Sequence, residues 1–315
     1  MIVRYKKTIV SLLDKLHLAR QNPYHFMDLW LDIQESLLKK QLYIENKYRR
    51  QKAEITEQNK IRKNPKDRKT KEESLLIKGK IKRSEELIEE YTFLINIFKS
   101  IGDGIAFTFL DKFDIKPQNF KESPGFISMK SGLSNEKKAL RYALNNKTIA
   151  ILHDLTSVLK YADLTIIKEG IRPMAIEMKS SSIVNSRIVR QEKKARNIYK
   201  YLTEDNTDSL YGKDEEMVRM SLLSPEINYI NELNLLLDEA EIHGTAYKLM
   251  EEGLLYIVSY RQFSPDQYEK AFVQYSITNP ISYRLNKFDI VGQGYYPPGE
   301  TRILLSRAYG ATGEE

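Results

Sequence analysis

The sequence predicts an α/β (α+β) protein with an N-terminal antiparallel helical hairpin, a central mixed sheet flanked by helices, and an α/β C-terminal part. Three patterns support this fold class. Apolar residues recur at helical spacing through the first 100 residues, two apolar runs flank a turn near residue 170, and apolar and polar residues alternate in short segments after residue 250. The corresponding regions are 1–100, 101–205 and 206–315, and the third is a candidate for completing the core of the second.

The composition excludes several classes of protein. The chain has 315 residues, enough for one large core or about two domains. It contains no cysteine, which excludes disulfides, thiolate metal ligands and a thiol nucleophile. No segment approaches the ~20 consecutive apolar residues of a membrane helix, so we expect a cytoplasmic protein of a prokaryote or phage without a membrane partner.

The first region is predicted to form two long helices. A turn signal, Asn64-Pro65-Lys66-Asp67, separates two segments in which apolar residues repeat at helical spacing. Two such helices joined by a short turn are expected to pack antiparallel, as in a coiled coil. The residues predicted to form the apolar pattern are Trp30, Ile33, Leu37 and Ile44 before the turn, and Ile81, Ile88 and Ile95 after it.

Positive charge is concentrated in this hairpin. The segment 39–83 contains 17 Lys or Arg residues and 6 Asp or Glu residues, whereas the net charge of the whole chain is only +7. One interpretation is a coiled coil whose charges keep it soluble. The other is an arm that contacts nucleic-acid backbone, or that joins a partner protein or a second copy of the chain. The predicted nucleic-acid contacts near the tip are Lys63, Lys66, Arg68 and Lys69.

Three charged residues interrupt an otherwise apolar pair of predicted strands, 164–167 and 174–178. They are Asp163, Glu177 and Lys179. Charges within core strands are costly unless they are paired or bind a metal. With a three-residue loop at 169–171, Lys168 pairs with Arg172 and Asp163 lies directly opposite Glu177. Two carboxylates at that distance need a cation between them, and a divalent metal is the natural candidate.

Helices are predicted on both sides of these strands. Ser134 is a candidate N-cap of the helix before them, and Glu136 lies in its first turn, where stabilising the helix dipole is the alternative to a metal-binding role. A strand, Thr148–Leu152, follows this helix and leads into His153-Asp154. The helix after the strand pair is predicted to begin near residue 185 and to carry Arg187, Arg190 and Gln191.

Asp163, followed by Glu177-Met178-Lys179 on the next strand, resembles the motif of the PD-(D/E)XK nucleases, the restriction-endonuclease-like superfamily. Ala162 stands where the family usually has proline beside the first acid. Glu136 matches the acid that family members carry on the helix before the first core strand. Gln191 matches the glutamine that many members carry on the helix after the lysine strand.

The resemblance covers residues 130–200 and implies a metal-dependent endonuclease that acts on nucleic acid, DNA in preference to RNA, with Mg²⁺ or Mn²⁺ as cofactor. Defence of a prokaryote against foreign DNA is the biological role expected by analogy. Lys179 would orient or deprotonate the attacking water, and Arg187 and Arg190 would contact flanking phosphates. The implied metal ligands are Asp163, Glu177, the carbonyl of Met178 and Glu136, and the implied catalytic residues are Asp163, Glu177, Lys179, Glu136 and Gln191.

Two alternatives compete with this interpretation. An acid, any residue and a lysine occur together six times in the chain, so the motif alone has little specificity. Asp163, Glu177 and Lys179 could instead form a buried ion cluster in an ordinary sheet. The chain could also be a non-catalytic nucleic-acid-binding or assembly subunit that keeps a nuclease-like fold. His153 is interpreted as a structural residue beside the sheet, with a place in the cleft as its alternative.

The C-terminal region has a weaker pattern. Residues 203–215 are acidic and polar and are predicted to form a linker, and a helical region is predicted from about residue 216 to residue 252. Alternating segments predict strands at Leu254–Ser259, Ala271–Ser276, Phe288–Val291 and Ile303–Leu305.

Overall fold

The computed structural model describes residues 2–64, 69–115, 118, 125–130, 132–178, 186–208, 215–220, 223, 227, 229–259 and 265–278. The chain divides into two compact units, one formed by Asp14–Met220 and the other by Met1–Leu13 with Ser221–Glu315. Mixed helix and sheet are present, as the α+β class requires. None of the helices in the described ranges is both long enough and apolar enough to span a membrane.

Two long helices form the predicted N-terminal hairpin. After α1 (Ile2–Gln21), the helices α2 (Met27–Lys63) and α3 (Lys71–Phe109) pack along each other and are joined by the short segment 64–70. With 37 and 39 residues, each is more than 50 Å long at about 1.5 Å per residue. A capping box begins α3, since the Thr70 hydroxyl accepts from the Glu73 N–H and the Glu73 carboxylate accepts from the Thr70 N–H.

The predicted apolar pattern is confirmed with one exception. Ile88 is only half-buried, although Ile81 and Ile95 on either side of it in α3 are buried. The predicted residues that are buried are Trp30, Ile33, Leu37, Ile44, Ile81 and Ile95.

The order helix, strand, strand, strand, helix is also confirmed. After the short helix α4 (Lys112–Ile115) and a 3₁₀ turn, Ile127–Met129, the chain forms α5 (Leu133–Asn145), β1 (Ile149–Leu152), β2 (Leu164–Lys168), β3 (Ile171–Ile176) and α6 (Ser186–Glu204). The strands form one antiparallel sheet in the order β1-β2-β3. A mixed sheet was predicted, but no parallel pair occurs within the described ranges.

The predicted three-residue loop between β2 and β3 is wrong, and so is the pairing of Lys168 with Arg172. Lys168 pairs with Ile171, which leaves a two-residue turn that includes Gly170 at φ +72°. An irregularity between Ile166 and Lys168 restores the predicted register further along, where Leu164 pairs with Ile176. Because β3 is the last strand of the described sheet, it is also more exposed than a core strand.

Buried polar side chains attach the helical hairpin to this sheet. The amide of Gln34 on α2 donates to the carbonyl of Ala150 (2.8 Å) and accepts from the N–H of Leu152 (2.9 Å), so it bonds β1 as a neighbouring strand would. On α3, the carboxylate of Asp103 accepts from the N–H groups of Ser157 (2.6 Å) and Val158 (3.2 Å). Burial raises the pKa of Asp103, and these hydrogen bonds oppose that rise.

The described part of the C-terminal region differs from the prediction. A helix, α7 (Ile230–His243), is followed by an antiparallel hairpin of β6 (Thr245–Glu251) and β7 (Leu254–Ser259). The predicted helical region 216–252 is therefore too long, because Gly244 ends α7 at φ +81°. Leu236, Leu237 and Ala240 of α7 pack with Ala246 of β6 to form a small core.

Two further C-terminal predictions fail. Most of the predicted strand 271–276 lies in the helix α8 (Pro265–Gln274), which begins at a proline and has Asp266 in its first turn, both of which favour a helix start. The predicted linker 203–215 includes the last two residues of α6 and then β4 (Asn206–Thr207), which pairs with β5 (Met217–Val218). The predicted strands 288–291 and 303–305 lie outside the described residues.

Candidate active site

Three carboxylates converge on the ammonium group of Lys130. Its Nζ atom lies 2.8 Å from Oδ2 of Asp154, 3.0 Å from Oδ1 of Asp163 and 3.5 Å from Oε1 of Glu136. We call Glu136, Asp154 and Asp163 the acidic cluster. The side chains of Glu136, Asp154 and Asp163 are 3 %, 5 % and 12 % exposed, whereas that of Lys130 is 31 % exposed. The cluster is thus a buried group of acids that Lys130 reaches from a more open position.

Each member of the acidic cluster comes from the end of a regular element. Glu136 lies in the first turn of α5, Asp154 in a 3₁₀ turn directly after β1, and Asp163 directly before β2. Because β1 and β2 are antiparallel and Leu152 pairs with Leu164, the residues after β1 and before β2 meet at one end of the sheet. Antiparallel pairing therefore brings two of the three acids together.

Lys130 is positioned by a buried acid on α2. Glu45 is 1 % exposed, and its carboxylate accepts from the N–H groups of Ile127 (3.1 Å) and Ser128 (2.7 Å). The N–H of Lys130 in turn donates to the carbonyl of Ile127 (3.0 Å). These bonds hold the main chain of the turn and so fix the starting point of the lysine side chain.

Asp163 is also bound by the end of β3. The N–H of Met178 donates to Oδ2 of Asp163 (2.8 Å), and the N–H of Asp163 donates to the carbonyl of Ile176 (3.1 Å). The peptide between Glu177 and Met178 therefore lies beside the Asp163 carboxylate. Glu177 itself is half-buried just beyond the last paired residue of β3.

His153 is a structural residue of this site. It is 2 % exposed, its Nδ1 accepts from the N–H of Ala162 (3.3 Å), and its Nε2 lies 2.6 Å from the Thr165 hydroxyl. With Nδ1 as an acceptor, the neutral ring carries its proton on Nε2 and donates to Thr165. Burial, followed by the charge of Lys130, lowers the pKa of His153 to about 3, so it stays neutral and joins β1 to the residues before β2.

Burial and mutual repulsion change the electrostatics of the cluster. Burial raises the pKa of Glu136 to about 7; Lys130 opposes this rise, and Asp163 and Asp154 add to it. Burial lowers the pKa of Lys130, but the three surrounding carboxylates more than offset this and raise it above its ordinary value. The ammonium is therefore charged at neutral pH and faces Asp154, Asp163 and Glu136, of which Glu136 is only partly ionised at that pH.

The donor atoms of the acidic cluster suit a hard divalent cation. Carboxylate oxygens are the ligands that Mg²⁺ and Mn²⁺ prefer, and Oε2 of Glu136 is buried without a hydrogen-bond partner among the described residues. However, across the described ranges no three His, Asp or Glu side chains are arranged as the ligand set of a metal ion. The ammonium of Lys130 lies where the carboxylate oxygens converge.

The predicted site residues are thus placed in part. The structure brings Glu136 and Asp163 together and sets the backbone of Met178 against Asp163. Lys179, Lys66 and Arg68 lie outside the described residues, and for Arg187, Arg190 and Gln191 only the backbone, on α6, is described. Lys63 is exposed near the tip of the hairpin and Lys69 is half-buried there.

Sequence reasoning missed two members of the site. Asp154 directly follows a short apolar strand; the sequence placed it with His153 at the strand end, but it was not assigned to the site. Lys130 follows a loop that has no regular pattern, and its contacts with α5, β1 and β2 arise only from the tertiary fold.

A basic groove lies along α2. Its volume is about 580 Å³, and it is lined by Tyr43, Asn46, Lys47, Arg49, Arg50 and Ala53. The Nζ of Lys47 lies 5.5 Å from the centre of the Tyr43 ring, a cation–π distance. The same stretch of α2 carries Glu45 on its buried side, so the groove lies on the helix segment that holds the turn before Lys130.

Comparison of the chain with protein-family models, with curated proteins and with solved structures gives no match. The chemistry of the site therefore rests on its own residues.

Proposed function

We propose that the chain is a metal-dependent nuclease that hydrolyses phosphodiester bonds of nucleic acid, with DNA preferred to RNA. The observation that carries this proposal is the convergence of Glu136 and Asp163 on one point at the end of the sheet. These two acids come from different elements and were selected from the sequence as metal ligands. Asp154 adds a third carboxylate to the same point.

Glu136, Asp154, Asp163 and the carbonyl of Met178 would hold the metal, with Glu177 beside them. A bound Mg²⁺ or Mn²⁺ supplies positive charge next to the scissile phosphate, where negative charge increases as water attacks. The N–H of Met178 keeps Asp163 oriented, and His153 keeps the residues before β2 in place. Lys179, two residues beyond Glu177, would orient the water or accept its proton.

The basic groove on α2 supports a nucleic-acid partner. A guanidinium group can bind two phosphate oxygens at once. Arg49 and Arg50 are exposed in the basic groove, and Lys47 adds a third positive charge there. Such contacts bind the backbone without reading sequence. Arg187 and Arg190 on α6 would contact the phosphates that flank the scissile bond.

One observation favours a second candidate function. Lys130 forms ion pairs with all three acids, which is also how a purely structural ion cluster would be completed. In that case the chain is a nucleic-acid-binding or assembly subunit without catalytic activity. Binding of nucleic acid through the basic groove is common to both candidates, so cleavage is the property that separates them.

The test is cleavage of plasmid, single-stranded DNA and RNA with Mg²⁺, with Mn²⁺ and with EDTA. We expect metal-dependent cleavage by the wild type and its loss in Glu177→Ala and Lys179→Ala. Glu169→Gln, which removes an exposed carboxylate from the turn of the same hairpin, is the matched control and should cleave normally. Wild-type binding without cleavage under any metal would favour the second candidate, and folded variants that cleave at the wild-type rate would place the site elsewhere.

A further inference from the structure

The ammonium of Lys130 is bound by one oxygen from each member of the acidic cluster. The distances from Nζ to these oxygens are 2.8, 3.0 and 3.5 Å. Three buried carboxylates would repel one another strongly if no cation lay between them. In this structure Lys130 provides that cation from within the chain.

We propose that Lys130 is an internal counter-ion that competes with a divalent cation for the acidic cluster, so that its side chain withdraws when a metal binds. This inference rests on the proposed metal site. Lys130 is not among the residues that the nuclease resemblance implies. With its ammonium between the three acids, the site is closed to metal.

The competition follows from the oxygens that the two cations share. A metal held by Asp154 and Asp163 would lie about 2.0–2.6 Å from their oxygens. The ammonium lies 2.8 and 3.0 Å from the same two carboxylates. The two cations cannot occupy this space at the same time, because their positive charges would repel each other at short range.

Lys130 can withdraw without a change in the fold. Its backbone N–H is held by Ile127, and Glu45 holds the turn, so the main chain has separate support. Its side chain is the most exposed of the four in the site, at 31 %. A lysine side chain has a flexible stem of four carbons, so the ammonium can move to solvent by rotation about side-chain bonds alone. Exchange of lysine for metal is therefore a local event.

The first test replaces Lys130 by methionine, which keeps the length of the stem and removes the charge. In EDTA at pH 8, Lys130→Met should unfold at a lower temperature than the wild type, because its three acids have lost their cation. Mn²⁺ should raise the unfolding temperature of the variant more than that of the wild type. Its affinity for Mn²⁺, measured by calorimetry, should be about 5- to 150-fold higher, the usual range of coupling between linked sites.

Lys138→Met is the matched control, since Lys138 is an exposed lysine of the nearby helix α5. It should leave both the unfolding temperature and the Mn²⁺ affinity unchanged. If Lys130→Met bound Mn²⁺ with the same affinity as the wild type, or more weakly, the proposal would be overturned. Lys130 would then have no effect on metal binding or would support it.

A second measurement needs no variant. In the wild type, acylation of Lys130 by an amine-specific reagent is followed by mass spectrometry in EDTA and in Mg²⁺, with Lys138 as internal reference. We expect Lys130 to be protected in EDTA and labelled several times faster in Mg²⁺. Unchanged labelling under Mg²⁺ would overturn the proposal. Neither measurement uses nucleic acid, so failure of the exchange is distinct from failure of the proposed nuclease activity.

Discussion

The backbone N–H of Met178 donates a 2.8 Å hydrogen bond to Oδ2 of Asp163, while Oδ1 of the same carboxylate lies 3.0 Å from the ammonium of Lys130. One oxygen is thus held by the backbone that follows β3, and the other faces the cation. This division of roles means that the orientation of Asp163 and its charge can be tested separately.

Asp163→Asn is expected to abolish cleavage with a smaller loss of stability than Asp163→Ala. An asparagine oxygen still accepts from the Met178 N–H, but the neutral amide is a poor ligand for a divalent cation. We expect cleavage to fall by at least about 100-fold, because loss of a residue that only hydrogen-bonds a metal ligand already costs up to about 100-fold in activity. Asp163→Ala should lose cleavage and also about 1–3 kcal/mol of unfolding free energy, because the Met178 N–H is left without its acceptor. Wild-type cleavage by Asp163→Asn would contradict this role.

Glu136 should make the protein less stable as pH rises from about 4.5 to about 7. Its pKa is raised from 4.5 to about 7, so in this range the folded protein binds a proton that the unfolded chain has released. The free energy of unfolding therefore falls with increasing pH, by up to about 3 kcal/mol for this group. Glu136→Gln should remove that fall in urea unfolding in EDTA at pH 5 and pH 8.

His153 contributes to the same measurement with the opposite sign. Its pKa is lowered from 6.5 to about 3, so the unfolded chain binds more protons below pH 6.5 and stability rises with pH in that range. The difference between wild type and Glu136→Gln at each pH isolates the Glu136 contribution. An unchanged pH dependence in the variant would contradict the raised pKa of Glu136.

Two glycines of α3 should respond in opposite directions to alanine. A Cβ at Gly102 would lie 2.0 Å from the carbonyl oxygen of Leu155, whereas a Cβ at Gly79 meets nothing within 4 Å. Gly102→Ala should lower the free energy of unfolding by about 3 kcal/mol or more, since a backbone atom must move. Gly79→Ala should raise it by about 1 kcal/mol through helix propensity. Chemical denaturation measures both, and similar effects of the two changes would contradict the close packing of α3.

The basic groove on α2 should determine the salt dependence of nucleic-acid binding. Removing two phosphate contacts with Lys47→Gln and Arg50→Gln should reduce the slope of log K against log salt by about 1.8 on a duplex. Fluorescence anisotropy in EDTA measures the slope without cleavage. Lys248→Gln with Lys270→Gln makes the same change in charge at exposed lysines of the other unit and serves as control. Equal slopes in the two double variants would show that the groove does not bind phosphate.

Errors in the sequence prediction have identifiable physical causes. The loop between β2 and β3 was predicted one residue too long, yet the register near Asp163 agrees because an irregularity at Ile166–Lys168 compensates for the shorter turn. The strand predicted at 271–276 is mostly helix, because the alternating pattern there is short and Pro265 favours a helix start. Short apolar patterns are compatible with either structure until their neighbours are known.

Local periodicity and turn chemistry were enough to predict the long helical hairpin, the helix–strand–strand–strand–helix order and the pairing of β2 with β3. The same reasoning marked Asp163 and Glu177 as opposed acids and Glu136 as a further metal ligand. The tertiary fold determines which groups face Asp163 and Glu136. Asp154 joins the cluster through antiparallel pairing of β1 with β2, and Lys130 reaches it because Glu45, far away in sequence, holds the turn that precedes it. Such contacts depend on packing between distant segments, which no local pattern encodes.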